Sequence, residues 1–569
     1  MNWLIDTLRE YPSLAVFLTI GIGFYIGKLK FKSFSLGTVT SVLLVGVLVG
    51  QLNIPIPGPL KEVFFLLFLF CIGYSVGPQF FNSLRGNGLK QVFFAVCVCV
   101  MVLLSVWLTA LLFGYGPGEA AGLFAGSSTI SAAIGVSTDS INNLSASAAD
   151  KKAWLDIIPV CYAVTYIYGT IGSAYILGNV GPMLLGGLKK VKQQTAELAA
   201  QMNESAVTND PAYINANRPM VFRAYKVEDS KVVGDGKTIS EIEKYMLDQG
   251  RRIFVERVRK ANGTIVEPAP DVMVNVGDTV VLSGRREFII QDEGWIGSEV
   301  DDAQLLSFPV EKVNVLLTSK NVKRGTTVDS LRSQKYMYGV VITRIQRGNV
   351  EVPVFAKTEL HPGDTITISG LQREVDAAAP ILGHVDKPST QTDLIFVGLG
   401  IFIGGLIGAI TIHLGGIPIS LSTSGGALIA GLVFGWLRTK NPTYGHIPQS
   451  SVWLLNNLGL NMFIAVIGIT SGPSFVSGLK AVGPMLFIAG IIATTLPLIL
   501  GVILGAKVFK FHPAINLGCV AGSRTTTAAL GAIEDNLGSP LPAMGYTVTY
   551  AVGNTLLILW GVVIILLMS

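Results

Sequence analysis

Long apolar runs alternate with short polar connections over residues 1–188 and again over residues 387–569, whereas the stretch between them carries most of the charged side chains. A helix needs about 20 mainly apolar residues to cross a bilayer, and each block contains five runs near that length. We predict spans at 12–28, 36–52, 62–80, 90–114 and 155–180, then at 392–413, 419–437, 452–472, 482–507 and 541–567. The pattern predicts a polytopic α-helical membrane protein with a soluble insert.

Two further segments, residues 118–140 and 514–538, have a different composition. They are crowded with glycine, serine and threonine, and each carries an acid near its end, Asp139 or Asp535. Irregular backbone at membrane depth is tolerated only where it is buried in protein or lines a cavity. We therefore predict that both segments are re-entrant or broken helices and not full spans.

The second apolar block repeats the first in the same order. "AGSSTISAAIG" at 125–135 resembles "AGSRTTTAALG" at 521–531, and "YAVTYIYG" at 162–169 resembles "YTVTYAVG" at 546–553. Five spans in each half is an odd number, so the second half is expected to lie upside down relative to the first. The sequence therefore predicts two inverted five-helix repeats, the architecture of secondary transporters.

Composition and charge agree with a membrane protein and add a predicted orientation. Half of the residues are hydrophobic, 14% are charged, and the mean hydropathy is +0.55. With the N-terminus outside, the short loops place these basic residues inside: Lys28, Lys30, Lys32, Arg85, Lys90, Lys189, Lys190, Lys192, Arg438, Lys440, Lys507 and Lys510. These remain outside: Arg9, Lys61, Lys151, Lys152 and Lys480. The positive-inside rule then predicts both termini outside and the insert in the cytoplasm.

The insert is itself doubled. After a linker at 189–215, we predict small α+β modules at 216–298 and 299–386, because "VNVGDTVVLSG" resembles "HPGDTITISG" around two Gly-Asp-Thr turns. Both modules resemble RCK C-terminal (TrkA-C) domains, which sit on the cytoplasmic side of ion channels and transporters. A ligand for them cannot be read from the sequence, and a purely structural role in joining protomers or halves stays open.

The candidate chemistry centres on Arg524, an arginine within one of the broken segments. Burying it at membrane depth costs about 2.5 kcal/mol or more, so it is expected to face a cavity, a partner or a ligand. A broken helix presents unpaired N–H groups to anions, and a guanidinium matches the two oxygens of a carboxylate. The first half has Ser128 at the equivalent position. Alternatively, Arg524 reaches the cytoplasmic interface and pairs with Glu534 or Asp535.

The predicted site residues fall into ranks. The substrate-binding candidates are Gly126, Ser127, Ser128, Thr129, Ser131, Gly522, Ser523, Arg524, Thr525, Thr526 and Thr527. Second-rank candidates, which helix packing could equally satisfy, are Tyr162, Thr165, Tyr166, Tyr546, Thr549, Tyr550 and Asn554. Beside two Gly-Pro pairs, Ser75, Gln79, Ser471 and Ser474 rank lower. Asp139 and Asp535 are candidate cation or charge partners, with loop-end capping as the alternative.

The motifs "GYSVGPQF", "GITSGPSF" and "AGSRTTTAALGAIED" resemble those of the aspartate:alanine exchanger family of bacterial inner-membrane transporters, and the resemblance extends over essentially the whole chain. It implies aspartate:alanine exchange or, as in relatives, transport of dicarboxylates such as succinate, by a homodimer in the plasma membrane. It also implies a substrate site formed by the two broken segments near the bilayer midplane.

Other function classes have less support from the sequence. HExxH and Walker motifs are absent, and we predict no enzyme activity, no cofactor and no bound metal. No basic cluster is interleaved with aromatics, which argues against a nucleic-acid partner. An ion channel gated by the RCK-like modules, or a membrane sensor that transports nothing, stays open beside the exchanger, for which we expect an elevator-like motion.

Overall fold

The computed structural model describes residues 2–29, 37–84, 88–203, 220–228, 232–248, 253–285, 289, 296–307, 310–323, 325–337, 340–348, 350–385, 392–414, 417–440 and 445–569. Lys30, Lys32 and Arg85, used in the predicted topology, and residues 204–215 of the predicted linker lie outside these residues. The chain forms two compact units. The membrane unit comprises 1–199, 346–353 and 388–569, and the insert unit comprises 200–345 and 354–387.

The membrane unit is built almost entirely of helices. Its first half contains α1 (Asn2–Glu10), α2 (Pro12–Lys28), α3 (Thr38–Gly50), α4 (Gly58–Ser83), α5 (Leu89–Phe113), α6 (Pro117–Ser127), α7 (Ala132–Asn143), α8 (Ala148–Tyr175), α9 (Gly181–Leu184) and α10 (Leu188–Asn203), of which residues 200–203 belong to the insert unit. A π-helical turn, Ile176–Val180, joins α8 to α9. The predicted broken segment 118–140 corresponds to α6 and α7, which are separated by four residues.

The second half presents a similar series of helices. It contains α15 (Leu394–Gly408), α16 (Ser422–Lys440), α17 (Gln449–Val482), α18 (Met485–Lys507), α19 (Pro513–Ser523), α20 (Thr527–Leu537) and α21 (Pro542–Met568). A short hairpin of β13 (Thr411–Leu414) and β14 (Ile417–Ser420) joins α15 to α16. The other predicted broken segment, 514–538, corresponds to α19 and α20.

Fewer helices than the ten predicted spans are long and apolar enough to cross a membrane. Among the described residues six qualify, and the count is seven if α1 and α2, which are bent by 108° at their junction, form one broken span. The predicted spans 36–52 and 392–413 form helices of only 13 and 15 residues. At about 1.5 Å per residue, neither reaches the roughly 30 Å of a hydrocarbon core. The chain is a multi-pass membrane protein with several short apolar helices.

The long helices pack in two sets. In the frame set, defined as α2, α3, α4, α15, α16 and α17, α4 packs on α16 and α3 packs on α17. Glycines allow these close crossings: a Cβ on Gly73 would lie 2.3 Å from Leu428 O, and one on Gly468 would lie 2.6 Å from Leu43 O. In the broken-helix set, defined as α5 to α8 and α18 to α21, α6 packs on α8 and α19 packs on α21.

The insert unit contains helices α11 (Ile239–Asp248), α12 (Ala303–Leu306), α13 (Val328–Arg332) and α14 (Gln372–Leu382). One of its two five-stranded sheets contains β1 (Met220–Lys226), β3 (Ile253–Arg259), β4 (Ile265–Val266), β6 (Thr279–Arg285) and β7 (Glu299–Val300). The other contains β8 (Val310–Leu316), β9 (Val340–Arg347), β10 (Val350–Val352), β11 (Asp364–Leu371) and β12 (His384–Val385). A separate two-stranded ladder joins β2 (Lys237–Thr238) to β5 (Met273–Val274).

The two large sheets have the corresponding strand orders β4-β3-β6-β1-β7 and β10-β9-β11-β8-β12. Each Gly-Asp-Thr motif forms the same turn. Gly277 (φ +91°) donates to Val227 O and Gly363 (φ +90°) donates to Leu317 O, both at 2.8 Å. These positive φ angles explain the glycine at the head of each motif.

Two features differ from the predicted domain boundaries. The strand Glu299–Val300, assigned to the second module, pairs with β1 of the first sheet, with Ala224 opposite Val300. Its backbone groups complete that sheet edge, two residues beyond the predicted boundary at 298 and 299. In addition, residues 346–353, predicted to belong wholly to the second module, group with the membrane unit.

Candidate functional site

Both broken segments are interrupted by the same backbone turn. After the last residue of α6, Thr129 N donates to Gly126 O (3.0 Å) and Ile130 N donates to Ala125 O (2.9 Å). After α19, Thr525 N donates to Gly522 O (2.9 Å) and Thr526 N donates to Ala521 O (3.1 Å). This is the bonding pattern of a Schellman helix end, in which the residue with positive φ is usually glycine.

Threonine occupies that left-handed position in both halves. Thr129 has φ 57° and Thr525 has φ 54°, a conformation that is unfavourable for a β-branched residue. Such residues cost of order 1–3 kcal/mol, and they concentrate at functional sites. In both breaks threonine therefore stands at a position that glycine would occupy with less strain.

Glycines bring each break against a long helix. A Cβ on Gly126 would lie 2.0 Å from Thr165 Oγ1 of α8, and a Cβ on Gly522 would lie 2.2 Å from Thr549 Oγ1 of α21. The two threonine hydroxyls donate within their own helices, to Cys161 O (2.7 Å) and Gly545 O (3.0 Å). Thr165 and Thr549 therefore shape the site through packing.

Arg524 is buried where the two halves meet, with 1% of its surface exposed. Its Nη1 donates to Thr494 O of α18 (3.2 Å), and its Nη2 donates to Ser127 O at the C-terminal end of α6. None of the ion pairs within the described part of the chain includes Arg524. The alternative, pairing with Glu534 or Asp535, is therefore not found, and both guanidinium hydrogen bonds go to backbone carbonyls, which carry no net charge.

Several polar atoms around the breaks are buried without a hydrogen-bond partner in the part of the chain that the structure describes. At the breaks themselves they are Ser128 Oγ, Thr129 Oγ1, Arg524 Nε and Thr525 Oγ1, and on α21 they are Tyr546 OH and Asn554 Nδ2. Buried polar groups are almost always hydrogen-bonded, because an unsatisfied one costs about 1–3 kcal/mol. Four such atoms lie at the two breaks, where a polar ligand or ordered water would satisfy them.

The tyrosines of α8 and α21 differ between the halves. Tyr162 OH lies 2.6 Å from Ser131 Oγ, whereas Tyr546 OH has no hydrogen-bond partner among the described residues. Tyr546 also stacks on Tyr550, with ring centroids 5.2 Å apart. In the first half the ring of Tyr166 lies 5.1 Å from that of Tyr162. The second half therefore contains both the Arg524 cation and a tyrosine hydroxyl, that of Tyr546, with no partner among the described residues.

Two residues that contact the breaks, Thr494 and Cys99, and a third that contacts Cys99, were not among the sequence predictions. Thr494 Oγ1 donates to Ser127 O (3.3 Å), and Cys99 Sγ contacts Ser523 O (3.6 Å) from the corresponding helix of the first half. Trp560 Nε1 donates to Cys99 O (3.0 Å), much as Arg524 donates to Thr494 O. Cys99 and Thr494 follow Gly73 and Gly468 at equal spacing, so extending the repeat alignment would have paired them.

The remaining candidates lie farther from this cluster or are satisfied locally. Asp139 of α7 accepts from Ser424 Oγ of α16, whereas Asp535 and Thr527 are exposed. The hydroxyls of Ser75, Ser471 and Ser474 donate to carbonyls of their own helices. Thr526 and Ser131 precede α20 and α7 without a side-chain cap on either helix. Both half-helices therefore begin with N–H groups not capped by a side chain, which favours anions.

Comparison with known proteins adds a relationship to this geometry. The family model Asp-Al_Ex, described as Predicted Permease Membrane Region, matches residues 15–181 and 396–566. A Shewanella oneidensis protein named as an uncharacterized transporter is 42% identical, and the alignment covers 100% of both chains. A Bordetella parapertussis protein named in the same way is 36% identical over 99% of this chain and 98% of its own. No solved structure matches the chain.

Proposed function

Because this chain belongs to the Asp-Al_Ex family of permeases and is a membrane transporter, we propose that it exchanges small carboxylates across the bacterial inner membrane. Aspartate moving against alanine is the proposed pair. A dicarboxylate such as succinate is the alternative substrate, because it presents the same carboxylate chemistry to the site.

One observation carries this proposal: Arg524 is fully buried, has no carboxylate partner among the described residues, and lies among unsatisfied hydroxyls. An uncompensated buried charge costs several kcal/mol, and a bound anion would offset that cost. Two of the five guanidinium N–H donors bind carbonyls, which leaves three for a substrate carboxylate. Ser128, Thr129 and Thr525 would bind the rest of the substrate.

The proposed mechanism is alternating access by an elevator-like motion. The broken-helix set would carry the substrate past the frame set, with the two halves related as inverted repeats. The packing of the helices into two sets supports this division. The hydrogen bond between Asp139 and Ser424 joins the two sets, so the motion would have to break it. Asp139 is therefore proposed as a cation or charge partner on the surface of the broken-helix set that would move past the frame set.

The proposed arrangement also places both termini outside and the insert in the cytoplasm, in a homodimer. The repeated sheet order and the paired Gly-Asp-Thr turns support two TrkA-C-like modules within the insert. Their Gly277 and Gly363 turns have the same bonds and the same backbone angles. The first module is proposed to continue at least to Val300, beyond the boundary expected from sequence.

Counterflow in proteoliposomes tests the proposal. Vesicles are loaded with unlabelled aspartate, alanine or succinate, and the uptake of labelled aspartate from outside is followed. Uptake that requires an internal substrate would establish exchange. The internal compound that supports the fastest uptake of labelled aspartate would identify the exchanged pair. Uptake into empty vesicles that follows the membrane potential would instead indicate a channel. Binding without flux under every loading would indicate a sensor.

A further inference from the structure

A hairpin of the insert belongs to the membrane unit. Residues 346–353 comprise the last two residues of β9, the turn and β10. They group with the membrane helices, although the rest of β9 groups with the insert. The corresponding hairpin of the first sheet, between β3 and β4, groups wholly with the insert unit. Two hairpins of the same topology therefore differ in what they contact.

On one side the hairpin binds the frame set. In the carboxamide orientation that gives both the oxygen and the nitrogen of Gln79 a hydrogen-bond partner, the oxygen accepts from Gly348 N at 2.8 Å. Its nitrogen then donates to Ser75 O (3.1 Å) and Val76 O (3.3 Å) in α4. Gln79 is 9% exposed and follows Pro78 within the helix, so this contact is buried beside a proline in α4.

On the other side the hairpin touches the broken-helix set. Strand β10 packs on α21, and Gln346 shares the wall of a cavity of about 370 Å³ with Tyr550 of α21. The same cavity is lined by Phe68 of α4 and by Trp453 and Asn457 of α17. Tyr550 stacks on Tyr546, whose hydroxyl is one of the unsatisfied atoms near the breaks. The hairpin thus bridges the two helix sets close to the proposed site.

We propose that residues 346–353 form a strap through which the insert holds the frame set and the broken-helix set in one relative position. This inference rests on the proposed function, because it assigns a regulator to the proposed motion. If α21 slides past α4, either the Gln79 contact or the packing of β10 must be lost. The strap therefore favours one of the two states, and release of the hairpin by the insert would permit exchange.

The first test measures the exchange rate of strap variants in proteoliposomes. Gln79→Ala removes the acceptor for Gly348, and it should raise the rate about two- to tenfold, the effect of one net hydrogen bond. Deletion of residues 347–350 should raise the rate at least as much. Ser83→Ala, which removes only a bond to Phe80 O on the same helix, and removal of Asn262 and Gly263 from the first-sheet hairpin are the controls. Both controls should exchange at the wild-type rate.

A second measurement needs no substrate. Asn457→Cys places a thiol in the cavity, and Ser450→Cys places one on the same helix outside the cavity wall. Each is labelled with a membrane-impermeant maleimide, with the native chain as the background. Gln79→Ala and the deletion should raise the labelling rate at position 457 at least threefold and leave position 450 unchanged.

The two measurements separate the two proposals. If the wild-type protein exchanges substrate, unchanged or slower exchange in both strap variants overturns the strap. If the wild-type protein transports none of the tested compounds, the proposed function fails, and the labelling rate at position 457 alone tests the strap. Equal labelling of Asn457→Cys with and without the Gln79→Ala change would then overturn the strap. Because Gln79→Ala alters one side chain only, a misfolded deletion variant leaves the test intact.

Discussion

Replacing Arg524 by glutamine removes the buried charge while keeping a side chain able to donate a hydrogen bond. Loss of one partner of a buried, hydrogen-bonded charge pair costs about 2–5 kcal/mol. At about 1.4 kcal/mol per factor of ten, substrate binding should weaken by about 30-fold to a few thousandfold. The glutamine amide can still donate to Ser127 O or Thr494 O, and the uncompensated charge is gone. We therefore expect substrate-free Arg524→Gln to be nearly as stable as the wild-type protein.

Thermal unfolding in detergent, with and without aspartate or succinate, measures both effects. At a ligand concentration 100 times the wild-type Kd, the wild-type protein should be stabilised by about 2.7 kcal/mol. A 30-fold weaker variant would be stabilised by only about 0.9 kcal/mol under the same conditions. Lys507→Gln makes the same change in net charge at an exposed end of α18, so it is the matched control.

The opposite pattern would refute this reasoning. If Arg524→Gln binds and exchanges substrate within threefold of the wild-type protein but unfolds at a much lower temperature, Arg524 is a cap on α6. Its contact with Ser127 O would then be the whole reason for its burial, since a cation at a helix C-terminus is favourable. The proposed carboxylate site would lose its main support.

Two more predictions use differences between neighbouring positions. Gly126→Ala should lower the free energy of unfolding by about 1–3 kcal/mol, because the new Cβ would lie 2.0 Å from Thr165 Oγ1. Gly531→Ala in α20 is the control, since its Cβ meets nothing within 4 Å and the change should be neutral or stabilising. Equal melting temperatures for the two variants would contradict the close packing of α6 on α8. Tyr546→Phe should weaken substrate binding without loss of stability, since its hydroxyl has no partner, whereas Tyr162→Phe should cost about 0.5–1.5 kcal/mol because it loses the bond to Ser131. Isothermal titration and thermal unfolding of both tyrosine variants check this contrast, which fails if Tyr546→Phe is the less stable of the two.

Local sequence patterns predicted the long membrane helices and the two segments that contain the breaks. The helical segments follow from apolar runs, and the breaks at Thr129 and Thr525 follow from glycine and hydroxyl content within those runs. These signals act over a few residues, so they can be read directly from the chain. The count of spans was less predictable, because helices such as α3 are shorter than the apolar runs that contain them.

The sequence by itself determined that this is a multi-pass membrane protein with a similar broken segment in each half, and that Arg524 stands in one of them opposite Ser128. Only the tertiary structure decided what Arg524 binds: the carbonyls of Ser127 and Thr494, and not the nearby acids Glu534 and Asp535. The same holds for the contact of Gly348 with Gln79. Backbone carbonyls are present at every residue and carry no sequence signature, so their role as partners depends on which distant segments folding brings together.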